Sequence, residues 1–290
     1  PVVTRDFTQA VKEATGQNLD WFFEDWFFKP GHPVFDVQYG WDEHQKKIRL
    51  TITQKQDTSQ GVPIFRTPVV IGIVTPGAAT STTVWLRKRE EVFEFACNQK
   101  PLLVRFDQGD HLLKEWTFKK STAELLYQLK RDDVIGRMWA VSELIDRSDE
   151  PRVIDGLVET ARRDSFWSVR RDALYRLGGF RGIIQMDLDR GLIPQTRLDS
   201  VRAIPGLDRS NNIALFKEKA LDENSQVRAA ALYGLGTTMA KEAIEFLKER
   251  FEQDNSYIAQ AAALRSLGKC GDPSVVNLLK KAAAMRSPRN

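Results

Sequence analysis

Thr15-Gly16-Gln17-Asn18-Leu19-Asp20-Trp21-Phe22-Phe23-Glu24-Asp25-Trp26-Phe27-Phe28-Lys29-Pro30-Gly31-His32-Pro33 joins two kinds of chain. Leu19, Phe22, Phe23, Trp26 and Phe27 fall at i, i+3, i+4, i+7 and i+8, one face of a helix. Asn18 is its expected N-cap, and Asp20, Glu24 and Asp25 put negative charge toward its N-terminal end. Lys29 is expected in the last turn, with Pro30-Gly31 as the stop. Upstream, Phe7, Ala10, Val11 and Ala14 repeat at helical spacing, with Thr4 or Asp6 as cap and Gly16 just past the end. Residues 1–32 are therefore expected to form a helical hairpin too small to hold a core alone. Left uncovered, the face of Leu19, Phe22, Phe23, Trp26 and Phe27 would promote self-association.

Downstream the period changes from helical to two. Ile48, Leu50 and Ile52 alternate with Arg49, Thr51 and Thr53, and Thr82, Val84 and Leu86 alternate again. Further strands are expected at Val62–Thr75, Val92–Phe95, Leu102–Phe106 and Leu112–Phe118, with turns at Pro76-Gly77 and Asp107–Asp110. Roughly seven short strands at regular spacing across 33–118 predict an antiparallel β-sandwich.

From residue 119 to 290 the pattern is helical, and it repeats. Asp164–Gly178 (DSFWSVRRDALYRLG), Asp222–Gly236 (DENSQVRAAALYGLG) and Asp254–Gly268 (DNSYIAQAAALRSLG) are each 15 residues long, open on Asp and close on Leu-x-x-Leu-Gly. The second and third start 32 residues apart, whereas the first and second are separated by 58, which is room for two units. Thr196–Pro205 is the expected intervening unit and Arg131–Ile145 an earlier one. Two apolar columns run through the units: Val141, Leu174, Val201, Leu232 and Leu264, then Leu144, Leu177, Ile204, Leu235 and Leu267. A third column is Arg137, Arg170, Arg197 and Arg228, with Gln260 as its exception. These cations either bond the Asp that opens a neighbouring unit or line a concave, ligand-facing surface. Partner helices are expected at Arg152–Arg163, Asn212–Leu221, Lys241–Phe251 and Ser274–Met285, and Phe180–Gly191 fits a helix poorly. A helix pair repeated at about 30 residues reads as a solenoid similar to HEAT repeats of the short bacterial type. The whole chain thus reads as multidomain: a short helical segment, a β-sandwich, then an all-α HEAT-like solenoid.

Composition narrows the chemistry. Net charge is +4, from 43 basic and 39 acidic residues mixed along the chain, and the clustered basic stripe of a nucleic-acid binder is missing. No apolar run reaches the ~20 residues of a membrane helix. A start on Pro1, directly before a helix, suits an excised fragment. Cys97 and Cys270 have no CxxC partner and are expected to be reduced. His32, His44 and His111 are too far apart for HExxH, in which two His one turn apart bind zinc beside a general base. Asp107-Gln108-Gly109-Asp110 lacks the ligand spacing of a calcium loop and reads as a β-turn. No catalytic, cofactor-binding or metal-ligating residue is therefore assigned.

One resemblance adds to this reading. Gly16-Gln17-Asn18-Leu19, Phe22-Phe23, Trp26, Gly31-His32-Pro33 and Val37 resemble the end of the catalytic domain in zinc aminopeptidases of the aminopeptidase N family. There a Gly-x-x-Leu-x-x-Phe-Phe-x-x-Trp helix is followed by a Gly-x-Pro turn into a β-sandwich and then by helical repeats. The resemblance implies that 1–32 is the tail of a catalytic domain lying upstream, and that zinc and the catalytic residues belong to that domain. It implies a spacer role for the sandwich and a lid role for the repeats, over a cleft that receives peptide substrates. The partners it implies are that upstream domain and those peptides, with no nucleic acid and no membrane. Relatives that have lost the zinc motif act as scaffolds, so a non-enzymatic HEAT-repeat scaffold for a protein partner is the alternative.

Overall fold

The computed structural model describes residues 3–147, 150–189 and 209–284. The chain divides into two compact units, Pro1–Glu124 and Leu125–Asn290.

The first unit opens with α1, Thr4–Thr15, and α2, Asp20–Trp26. Gly16 ends α1 at φ 68°, a left-handed conformation that glycine adopts without steric penalty, and its N–H donates to Lys12 O at 2.9 Å. The N-cap of α2 is Leu19 rather than Asn18, although Asn18 Oδ1 still accepts the Asp20 N–H at 2.9 Å. The helix also stops at Trp26, short of Lys29. The N–H groups of Phe27 and Phe28 both close on Phe23 O at 3.0 Å, and Pro30 disfavours a helical residue before it. Lys29 instead reaches Glu24 at 3.4 Å.

Seven strands follow: β1 Val34–Asp42, β2 Lys47–Gln54, β3 Thr67–Thr75, β4 Ala78–Leu86, β5 Glu90–Ala96, β6 Leu103–Phe106 and β7 Glu115–Phe118. They form a four-stranded sheet in the order β5-β2-β1-β7 and a three-stranded sheet in the order β4-β3-β6. Period-2 alternation decides which side chains are inside. In β2, Ile48, Leu50 and Ile52 are buried while Lys47 and Arg49 are exposed. Phe35 of β1 meets Phe106 of β6 edge to face at 5.2 Å between ring centroids, so the two sheets share one apolar core. Pairing is antiparallel with one exception: β1 and β7 run parallel, from Val34 opposite Glu115 to Val37 opposite Phe118. The first and last strands of the unit are neighbours, and the chain returns to β1 in its original direction. Local alternation fixes which face is buried and leaves strand direction open.

The second unit is helical: α3 Thr122–Arg131, at whose first turn the division between units falls, then α4 Val134–Glu143, α5 Pro151–Arg163, α6 Trp167–Asp189, α7 Arg209–Lys219, α8 Ser225–Thr237, α9 Ile244–Gln253, α10 Tyr257–Cys270 and α11 Val276–Ala284. α5 packs on α6, α7 on α8 and α9 on α10. The inner helices α4, α6, α8 and α10 lie side by side in that order. Both apolar columns point into the shared core: Val141, Leu174 and Leu232 in one, Leu144, Leu177, Leu235 and Leu267 in the other, all buried, with Leu264 half-buried.

One expectation changes here. The segment from Phe180 continues α6 to Asp189 instead of breaking the helix. The intervening unit expected at Thr196–Pro205, with Arg197, Val201 and Ile204, lies outside the described residues; among the described residues α6 packs directly on α8.

Candidate functional site

The arginine column resolves into a ladder of forked ion pairs between successive repeats. Arg137 Nε and Nη2 reach the Asp164 carboxylate at 2.7 and 3.0 Å, Arg170 reaches Asp222 at 3.1 and 2.9 Å, and Arg228 reaches Asp254 at 2.9 and 2.9 Å. The third guanidinium nitrogen, Nη1, turns back to the carbonyl that opens its own repeat: Asp132 O, Asp164 O and Asp222 O. Each Arg thus closes its own turn and holds the next repeat, using the planar fork that Lys lacks. Gln260 keeps only the backbone half, donating to Asp254 O at 2.7 Å. The Asp254 hydrogen bond raises the Arg228 guanidinium above its ordinary range. Burial opposes ionisation of Asp254, but the bonds from Arg228 and from the Ser256 N–H hold its carboxyl below the usual carboxylate range. These three cations are committed to structure, and Arg197 lies outside the described residues.

A second constellation fastens α2 to the sheets. Arg66 Nε and Nη2 bond the two oxygens of Asp25 at 2.7 and 3.0 Å, and the Arg66 N–H donates to the same carboxylate at 3.2 Å. Trp26 Nε1 returns a bond to Arg66 O at 3.2 Å. Trp26 packs on Phe65 at 4.9 Å and Trp21 on Trp85 at 5.1 Å. Phe23 is buried, whereas Phe7, Phe27 and Phe28 are exposed. Beside this clamp lies a cavity of about 670 Å³ lined by Trp21, Phe22, Trp26, Val70, His111 and Leu113, among others. Its walls are apolar and aromatic. It offers shape and desolvation rather than acid–base chemistry. The sequence reading treats Asp25 only as a favourable charge on the helix. Its position three residues after Phe22, on the edge of the apolar face, is the signal that it needs a partner.

The remaining polar groups are dispersed. His32 Nε2 lies 2.9 Å from Glu115 Oε1, the His44 N–H donates to Asp42 Oδ1 at 2.8 Å, and His111 stands at the cavity. Among the described residues, no group of three or more His, Cys, Asp or Glu side chains is placed to hold a metal ion. Asp107–Asp110 closes as a tight turn, the Asp110 N–H donating to Asp107 O at 2.8 Å, and Lys114 bonds Asp107 at 2.6 Å. Tyr39 donates to Glu124 at 2.7 Å, and burial, reinforced by that carboxylate, raises its phenol well above its ordinary value. Glu124 also accepts the Val104 N–H at 2.9 Å, so this carboxylate ties the start of α3 to two strands. Cys97 is buried and donates to Gln99 O, and burial pushes the Cys270 thiol up. None of these arrangements sets a nucleophile beside a base. Among the described residues, no helix is long and apolar enough to cross a membrane.

Comparison with known proteins places this architecture. The HEAT repeats family matches residues 193–267 and 213–289. No curated protein sequence matches the chain. Among solved structures, Legionella pneumophila aminopeptidase A in complex with aspartic acid is similar over 92% of this chain, with a TM-score of 0.66 and 16% identity. The chain spans 35% of that structure's length. At this identity the likeness shows a shared fold alone, and the HEAT repeats match falls in the helical half of this chain.

Proposed function

We propose that this chain is the non-catalytic C-terminal part of a zinc-dependent aminopeptidase of the aminopeptidase N family. The observation that carries the reading is the likeness to an aminopeptidase over 92% of this chain but only 35% of the other. In this reading the two sheets are a β-sandwich spacer over 33–118. The helix pairs of 119–290 form a solenoid that serves as a lid controlling peptide access to an active-site cleft. Residues 1–32 are the tail of the catalytic domain, which binds the zinc and performs the hydrolysis of N-terminal residues from peptides. Zinc supplies a Lewis acid and an activated water in such a site. In this reading the part of this chain is to position and to exclude. The arginine ladder suits that part, because a lid that stacks rigidly defines an aperture.

The HEAT match favours one further reading, a scaffold whose repeats bind a protein partner without catalysis. One experiment separates the two. The chain is produced together with the polypeptide that precedes it, and zinc content and hydrolysis of aminoacyl-coumarins and of longer peptides are measured with and without residues 125–290. The peptidase reading expects stoichiometric zinc. It also expects removal of the repeats to change KM for long peptides far more than for aminoacyl-coumarins. Absence of zinc and of turnover in the extended protein would overturn it in favour of the scaffold.

A further inference from the structure

Strand β4 is an unguarded sheet edge. It is nine residues long, Ala-Ala-Thr-Ser-Thr-Thr-Val-Trp-Leu over 78–86, and it stands at the end of its sheet, paired on one side with β3 along its whole length. Residues 78–83 are exposed. An edge strand presents a row of backbone donors and acceptors, and proteins commonly blunt such edges with charge, proline or brevity. The other end strands follow that rule. β5 carries Glu90, Glu91 and Glu94, and β6 and β7 are four residues each. β4 has no charge, no proline and four residues of high strand propensity among Thr80, Thr82, Thr83 and Val84.

We propose that β4 pairs with β4 of a second copy of this chain, antiparallel about a two-fold axis through Thr82, to give a continuous six-stranded sheet. The sequence of the strand is self-complementary in that register. Its large residues lie at one end and its small ones at the other, so Trp85 faces Ala79 and Leu86 faces Ala78 of the second copy. Thr83 faces Ser81, and Thr82 faces Thr82, pairs of the kind that stabilise adjacent strands. Charge selects the direction. Arg87-Lys88-Arg89 follows the strand directly. Antiparallel pairing sets Arg87 beside Gly77, whereas parallel pairing would set this basic run against itself. A two-fold contact of this type closes on itself and stops at two copies. The inference is independent of the peptidase reading.

The test is light scattering of the full chain over a concentration series, with Thr82→Lys and Thr82→Cys variants. The expected result is a mass that rises to twice that of one chain. T82K should raise the dimer dissociation constant by about tenfold or more, because it places like charges face to face at the axis. It should leave far-UV circular dichroism unchanged, because Thr82 is exposed. T82C should give a disulfide-linked dimer under mild oxidation, since directly opposed Cβ atoms lie about 4.5–5.5 Å apart. The wild-type chain, with only Cys97 and Cys270, should not. A single-chain mass at every concentration would overturn the proposal. So would a dimer that survives T82K, fails to cross-link through T82C and dissolves with Phe27→Asp.

Discussion

A Cβ placed on Gly178 would stand 3.2 Å from the Cα of Gly234. The backbones of α6 and α8 thus approach closely where both sequences have glycine. Gly234 is tighter still on its other side, where a Cβ would come within 2.4 Å of the Phe216 ring. By contrast, Gly268, which closes the Asp254 repeat as Gly178 closes the Asp164 repeat, has nothing within 4 Å.

Gly234→Ala is expected to cost about 2–3 kcal/mol by overpacking, and Gly268→Ala to gain roughly 0.5–1 kcal/mol from helix propensity. Chemical denaturation of the two variants checks the contrast. Equal effects would mean that the Phe216 ring does not lie against Gly234 in solution.

Arg228→Ala removes the cation from Asp254, which is 6% exposed. Stranding a buried carboxylate in this way is expected to cost about 3 kcal/mol. Arg228→Gln should lose less, because it can keep the bond to the Asp222 carbonyl as Gln260 keeps its own to Asp254 O. Thermal melts of the pair read the difference.

The same clamp makes stability depend on acid. The folded-state pKa of Asp254 lies below its ordinary value of 3.8. Its contribution is therefore fully present above that value and is lost as pH falls through the depressed one. Asp254→Asn should melt below wild type at neutral pH, and the gap should narrow as the pH is lowered through and beneath 3.8. A gap that stays constant with pH would show that the carboxylate charge contributes nothing.

Arg66→Ala should release α2 from the sheets. Arg66 is partly open to solvent, with its side chain 42% exposed, so screening reduces the pair's worth, and a loss of about 1–2 kcal/mol is expected. Because Trp21 and Trp26 ride on α2, tryptophan emission should shift to longer wavelength at temperatures below the main transition.

The repeats were the most legible part of this chain, because a helical period combined with fixed columns constrains both face and neighbour. Leu144, Leu177, Leu235 and Leu267 are all buried as the pattern predicts. The spacing of 58 before Asp222 is less legible, since it is equally compatible with two units or with one enlarged unit, and Thr196–Pro205 lies outside the described residues. In the β unit, alternation gives seven strands but not the parallel pairing of β1 with β7, which depends on how the chain returns. The clamp of Asp25 on Arg66 joins residues 41 apart with no periodic signature, and the cavity beside it is a product of packing that no local pattern encodes.

The ladder also gives the repeat array a polarity. In the three described pairs the guanidinium belongs to the earlier repeat and the carboxylate to the later one. A cut that removes α3 and α4 leaves Asp164 as an orphan anion at the new front end. A cut that removes α9 and α10 leaves Arg228 as an orphan cation at the new rear. Shortened arrays would therefore expose opposite charges at their two ends, and would tend to stack front to rear on one another in the register that the intact chain uses internally.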